Sequence, residues 1–249
     1  MNPELVESLM QFMLRNHEED AGRLNRSLSG SGDAGLVRSM PPIPFTGDIG
    51  SMQREDCVCL LGINPLWPAP GKPAHELELR PAMRLIERLR SGDQGAFSEY
   101  MRTRTSYFSS GIANWGHFDK VGYGYSNHFF PDEDMRTVWR EHAFAMDVVP
   151  YFSRDARGID RGRVVEQASL DSALRHHQEI LVSAIAETCP SILHLNGSHA
   201  IQVVESLYRD VPLERQGELG RRYGLRFGEA RIGGTAVSVF AHNQFGYGR

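Results

Sequence analysis

Polar residues standing at the ends of apolar runs are the part of this chain that can do chemistry. Cys57-Val58-Cys59-Leu60-Leu61-Gly62-Ile63-Asn64-Pro65 is a strand-like run that stops at Gly-x-Asn-Pro and delivers one amide, Asn64. Asp147 interrupts the apolar run 145–149, the run 191–195 passes into Asn196-Gly197-Ser198-His199, and the run 236–241 ends in His242-Asn243. In open α/β sheets, ligands bind outside the carboxyl ends of the strands. Amides, a carboxylate and imidazoles gathered on one such rim can hold a ligand through its donors and acceptors. Each residue also has a plain structural use. Asn-Pro and Asn-Gly are ordinary turn chemistry, Asp147 suits a turn cap, and His194 and His199 suit the edge of a core. Gly62 permits a sharp exit from the strand, and Pro65 biases Asn64 toward extended backbone.

The elements needed to position these residues follow from periodicity. Residues 3–28 read as one amphipathic helix, with Leu5, Val6, Leu9, Met10 and Met13 at helical spacing. Ser29-Gly30-Ser31-Gly32 is a break and Pro41-Pro42-Ile43-Pro44 an extended lead-in. Strands are predicted at about 56–62, 145–151, 191–197 and 236–243. Helices fall at about 81–90, 132–143, 168–187 and 198–208. Proline opens the first of these. Residues 97–131 carry ten aromatics among glycines and read as an irregular insertion or cap over the sheet. Gly122-Tyr123-Gly124-Tyr125-Ser126-Asn127 is not a dinucleotide motif, because it neither follows a strand nor opens a helix. Alternating strands and helices imply an α/β three-layer sandwich with a mainly parallel four-stranded sheet. The expected organisation is an N-terminal helix and linker, 1–50, packed on a single domain, 51–249.

The bulk properties exclude several classes. A chain of 249 residues can bury a large core in one domain. No apolar run approaches the ~20 residues that span a bilayer, and the N-terminus lacks a signal peptide's basic and apolar regions, so the expected compartment is the cytoplasm. Three cysteines without a Cys-x-x-Cys pair give no zinc or iron–sulfur set. A net charge of −4 does not advertise a nucleic-acid binder. Local clusters at Arg102/Arg104, Arg154/Arg157/Arg161/Arg163 and Arg221/Arg222 suit either a basic groove or a solvated arginine face.

Over residues 50–249 the order and character of these segments resemble the uracil-DNA glycosylase superfamily. Gly62-Ile63-Asn64-Pro65 is similar to its first motif, in the form found in mismatch-specific and single-strand-selective branches. Residues 144–152 resemble its second strand, where an asparagine reads the base. Residues 192–200 resemble the strand and helix written Leu-x-Gly-x-x-Ala, and Ala241-His242-Asn243-Gln244 falls where the family carries His-Pro-Ser or Asn-Pro-Ser. The resemblance implies hydrolysis of an N-glycosidic bond of a flipped base, without metal or cofactor, by a monomer acting on single-stranded or mismatched DNA. Asn64 would orient water, which an amide can do although it is no strong base. His242 would donate to the departing base. Gly62, Ile63, Pro65, Asp147 and Asn243 would line that base, and one of Phe108, Trp115 and Phe118 would stack on it. Asn196, Ser198, His199 and Gln244 would touch DNA, and Phe245 or Tyr247 would fill the vacated stack.

Two departures qualify the resemblance. Asp147 stands in place of the base-reading asparagine, and an ionised aspartate only accepts hydrogen bonds. It suits a base edge of amino and ring N–H donors, or needs an elevated pKa. The last motif lacks Pro-Ser. A non-catalytic nucleobase- or nucleic-acid-binding relative and a small nucleoside hydrolase are the alternatives.

Overall fold

The computed structural model describes residues 1–30, 32–52, 56–68, 70–72, 75–111, 113, 115–208, 213–215 and 224–242. Its centre is four short parallel strands: β1 (Val58–Gly62), β2 (Ala143–Asp147), β3 (Ile192–Asn196) and β6 (Thr235–His242). β5 (Arg226–Ile232) and the two-residue β4 (Glu214–Arg215) extend the sheet antiparallel at the β6 side, giving the order β2-β1-β3-β6-β5-β4. The expected sheet of four strands is therefore only its parallel part. The addition is a hairpin. Gly233 and Gly234 both take positive φ, 57° and 85°, as a tight two-residue turn joining right-twisted strands requires.

Successive side chains on a strand point to opposite faces, and here each face has its own core. Cys59, Leu61, Phe144, Met146, Leu193, Leu195, Val239 and Ala241 share one cluster with α1 (Pro3–Leu14), α3 (Arg80–Arg90), α8 (Ser172–Thr188) and α9 (Ser198–Leu207). Val58, Leu60 and Ala143 pack on the other face with Tyr107, Phe108, Tyr125, Val138 and Trp139. Tyr125 belongs to α5 (Trp115–His128) and Trp139 to α6 (Met135–Glu141). Helices thus cover both faces of an α/β sheet.

Three expectations change. The helix read over 3–28 is two, α1 and α2 (His17–Ser27), because the Asn16 side chain accepts from Glu19 N and starts a new helix. The helix read over 168–187 begins at Ser172, where Asp171 caps α8 through Ala173 N and Leu174 N and ends α7 (Arg161–Leu170). Residues 97–131 are not irregular: they hold α4 (Gly95–Thr105) and α5. Their glycines disguise the helix, and Gly122 has a packing reason. A Cβ there would lie 2.5 Å from Trp139 Nε1, so only glycine lets α6 approach.

The N-terminal helices belong to the core. Leu5, Leu9, Phe12 and Leu24 are buried in the larger cluster. Asp20 accepts from Arg15 Nε at 2.7 Å and from Arg23 at 2.7 Å, and Arg23 Nε reaches Asp171 at 2.6 Å, joining α2 to the start of α8.

Candidate functional site

The strand order sets where a crevice must open. From β1 the chain goes to β2 on one side, then crosses to β3 on the other, so the direction of winding reverses between β1 and β3. Ligands in such sheets bind at that switch point, outside the carboxyl strand ends. The register places Gly62 opposite Asp147 and Asn196 opposite His242, with Leu61 and Leu195 paired one step behind. Asp147, Gly62, Asn196 and His242 therefore form one row across the four parallel strands. By alternation this row lies on the face that α5 covers, together with Leu60 and His194.

Asn64 leaves the row with its donor committed. Its Nδ2 donates to Ser153 Oγ at 2.6 Å, close to the carbonyls of Pro65 and Tyr151 at 3.2 and 3.4 Å. Among the described residues Oδ1 is buried without a partner. A buried, unpaired amide oxygen is an acceptor waiting for a donor, and a water proton would satisfy it. The loop that carries it is pinned to the β2 exit by backbone bonds: Val148 N to Gly62 O, Val149 N to Ile63 O and Ser153 N to Pro65 O. Gly62, Ile63 and Pro65 thus fix the loop through their carbonyls, and the Ile63 side chain packs against the opposite core.

Gly62 does not adopt positive φ; it is needed for space. A Cβ there would lie 2.3 Å from Asp147 Oδ1, so the carboxyl group lies directly over this glycine. Among the described residues Asp147 accepts one bond, through its backbone oxygen from His177 Nε2 at 2.7 Å. Its carboxyl group has no comparable support, and burial pushes it up to about 7. Near neutrality a protonated Asp147 has an O–H donor beside a C=O acceptor, which removes the acceptor-only difficulty.

His242 is buried, its ring 4.8 Å from that of His194 and 5.9 Å from Phe240. Asn196 ends β3, and Gly197, with φ 104°, turns the chain into α9, which starts at Ser198 without a side-chain cap. His199 is half-buried near Arg161; burial, then that cation, lowers its pKa.

Phe108 packs within the smaller core, its ring 5.0 Å from Phe118, 4.9 Å from Trp139 and 5.7 Å from Trp115. The Arg136 guanidinium covers Trp115 at 5.3 Å. These aromatics hold α5 and α6 on the sheet. Asn243, Gln244, Phe245 and Tyr247 lie outside the described residues, as do Arg221 and Arg222. Of the arginine clusters, Arg104 is buried against Glu78 at 2.9 Å, Arg157 pairs with Asp155 and Arg163 with Glu166. Arg154 is exposed and lies 5.7 Å over the Trp67 ring, beside the Asn64 loop.

Ser153, Tyr125 and the exposed Leu66 were not singled out from the sequence. The one usable signal was Ser153 closing the run after β2, as Asn64 does after β1. A shallow cleft of about 400 Å³ beside α2 and Arg38 includes none of the rim residues. Among the described residues no group of three or more His, Cys, Asp or Glu could hold a metal ion, and no helix is long and apolar enough to cross a membrane. No protein-family model matches the sequence, and no curated protein matches it.

Proposed function

We propose that this chain is a divergent base-excision glycosylase that hydrolyses the N-glycosidic bond of a flipped, deaminated or otherwise modified base in single-stranded or mismatched DNA. The observation that carries this reading is the in-register row of Asp147, Gly62, Asn196 and His242 at the switch point, with the unpartnered Asn64 Oδ1 beside it. In this reading Asp147 meets the base edge, Asn64 holds water and His242 acts as a donor, the three roles the reaction needs. In the reaction the C1′–N bond breaks and its electron pair leaves with the base. Water oxygen bonds to C1′, and the proton that water gives up ends on the departed base. Asn64 Oδ1 orients that water, Asp147 reads the base edge, and His242 donates to the departing base. The start of α9 after Gly197, with no side-chain cap, suits a backbone phosphate.

A second reading, a member that binds a nucleobase without cleaving it, draws on the burial of His242 at 3 % exposure. Oligonucleotides carrying uracil, hypoxanthine, xanthine or a thymine mismatch, assayed beside free nucleosides, separate the possibilities. Base release from an oligonucleotide that Asn64→Ala abolishes is the expected result. Binding without release supports the second reading, and release from free nucleosides alone points to a nucleoside hydrolase. Neither binding nor release with any base overturns the proposal.

A further inference from the structure

One buried group behind the rim is left unexplained by that account. His194 lies in the middle of β3, one pair behind Asn196 and His242 and on the same face. Its Nδ1 is 2.5 Å from the Tyr125 hydroxyl on α5, which covers the sheet here. The ring packs 4.9 Å from Phe240 and 4.8 Å from His242. The residue is 4 % exposed, and its Nε2 is buried with no partner among the described residues.

A tyrosine hydroxyl donating to Nδ1 leaves the ring hydrogen on Nε2. Burial, and then His242, lower the His194 pKa to about 3, so the ring stays neutral at any working pH. Among the described residues its ring contacts are Tyr125 from α5 and Phe240 and His242 from β6, none of them anionic. With the Tyr125 hydroxyl as the donor, the ring N–H stands on Nε2, buried and without a partner among the described residues, and a buried donor is costly to leave unsatisfied. A group held this way is prepared for an acceptor that arrives only with a ligand.

We propose that His194 Nε2–H is a second hydrogen-bond donor to the departing base, acting beside His242, with Tyr125 holding it in the donating tautomer. The inference rests on the base-excision reading and adds a catalytic residue to it. A neutral donor suits this place, because the base leaves as an anion and the donor gains strength as that charge develops.

The test compares single-turnover base release by the full chain and its His194→Phe, His194→Gln and Tyr125→Phe variants, on oligonucleotides carrying uracil or 5-fluorouracil. Uracil is the poorer leaving group and depends more on donors. His194→Phe is expected to slow uracil release about 100-fold, with a clearly smaller loss on 5-fluorouracil. Gln, which retains an N–H, should restore part of the rate, and Tyr125→Phe should show part of the loss with the same leaving-group trend. An unchanged rate in His194→Phe, or equal losses on both bases, overturns the inference and leaves the base-excision reading standing. No base release by the unaltered chain overturns that reading and this inference with it.

Discussion

Asp147 and Gly62 act as one unit at the scale of single residues. The carboxyl group occupies the space that a Cβ at position 62 would fill, and burial raises its pKa to about 7. A carboxyl whose folded pKa lies above its unfolded value binds more protons in the folded state between the two. Its contribution to stability is therefore greatest in acid and declines as pH rises from about 4 to about 7. Asp147→Asn should match the unaltered chain near pH 4 and exceed its stability above pH 7, on the order of 4 kcal/mol. Urea denaturation across that range measures the difference. Binding of free uracil should weaken above pH 7 in the unaltered chain and stay level in Asp147→Asn, whose amide donates and accepts at every pH.

At the scale of elements, what matters is how α5 and α6 are held on the sheet face that carries the rim. Trp139 Nε1 donates to Phe118 O at 3.0 Å, and Gly122 leaves room for the indole. Gly122→Ala should cost about 1–3 kcal/mol through overpacking, despite alanine's better helix propensity, and thermal unfolding reads it directly. This pair also shows why α5 was hard to read from the sequence. Gly122 and Gly124 speak against a helix locally, and their need is set by a tryptophan on another element. The strands that carry Asn64, Asn196 and His242 were legible because each is an apolar run with a polar end. β5 was missed although Gly233-Gly234 before Thr235 is a hairpin signal, because Arg226, Glu229 and Arg231 break its apolar pattern. The break at Asn16 was missed because a side-chain cap inside a continuous amphipathic pattern leaves the periodicity almost intact.

For the whole molecule, long-range ties join the N-terminal helices to the start of α8. The buried Asp20 collects Arg15 and Arg23, and Arg23 passes on to Asp171 at the start of α8. Burial opposes the Asp20 charge, but the bonds from Arg15 and Arg23 prevail and hold its pKa below the usual value. A depressed carboxylate contributes stability above its unfolded pKa and loses it as pH falls through the folded one, the reverse of Asp147. Asp20→Asn should lose about 2 kcal/mol at neutral pH, and the loss should shrink in acid, as a denaturation series would show. Such ties join residues up to 148 positions apart and leave no periodic trace in the sequence. The polar strand ends were legible in the sequence, while the strand order that brings them to one switch point and the partners of their side chains, Ser153 for Asn64 and Tyr125 for His194, were not.

Single-turnover release of free base from a uracil-containing single strand decides whether the rim is a base-excision site in which Asn64 positions water. The unaltered chain should release uracil, and Asn64→Ala should release it at least about 100-fold more slowly while unfolding at nearly the same temperature. Equal rates for the two proteins would contradict the account.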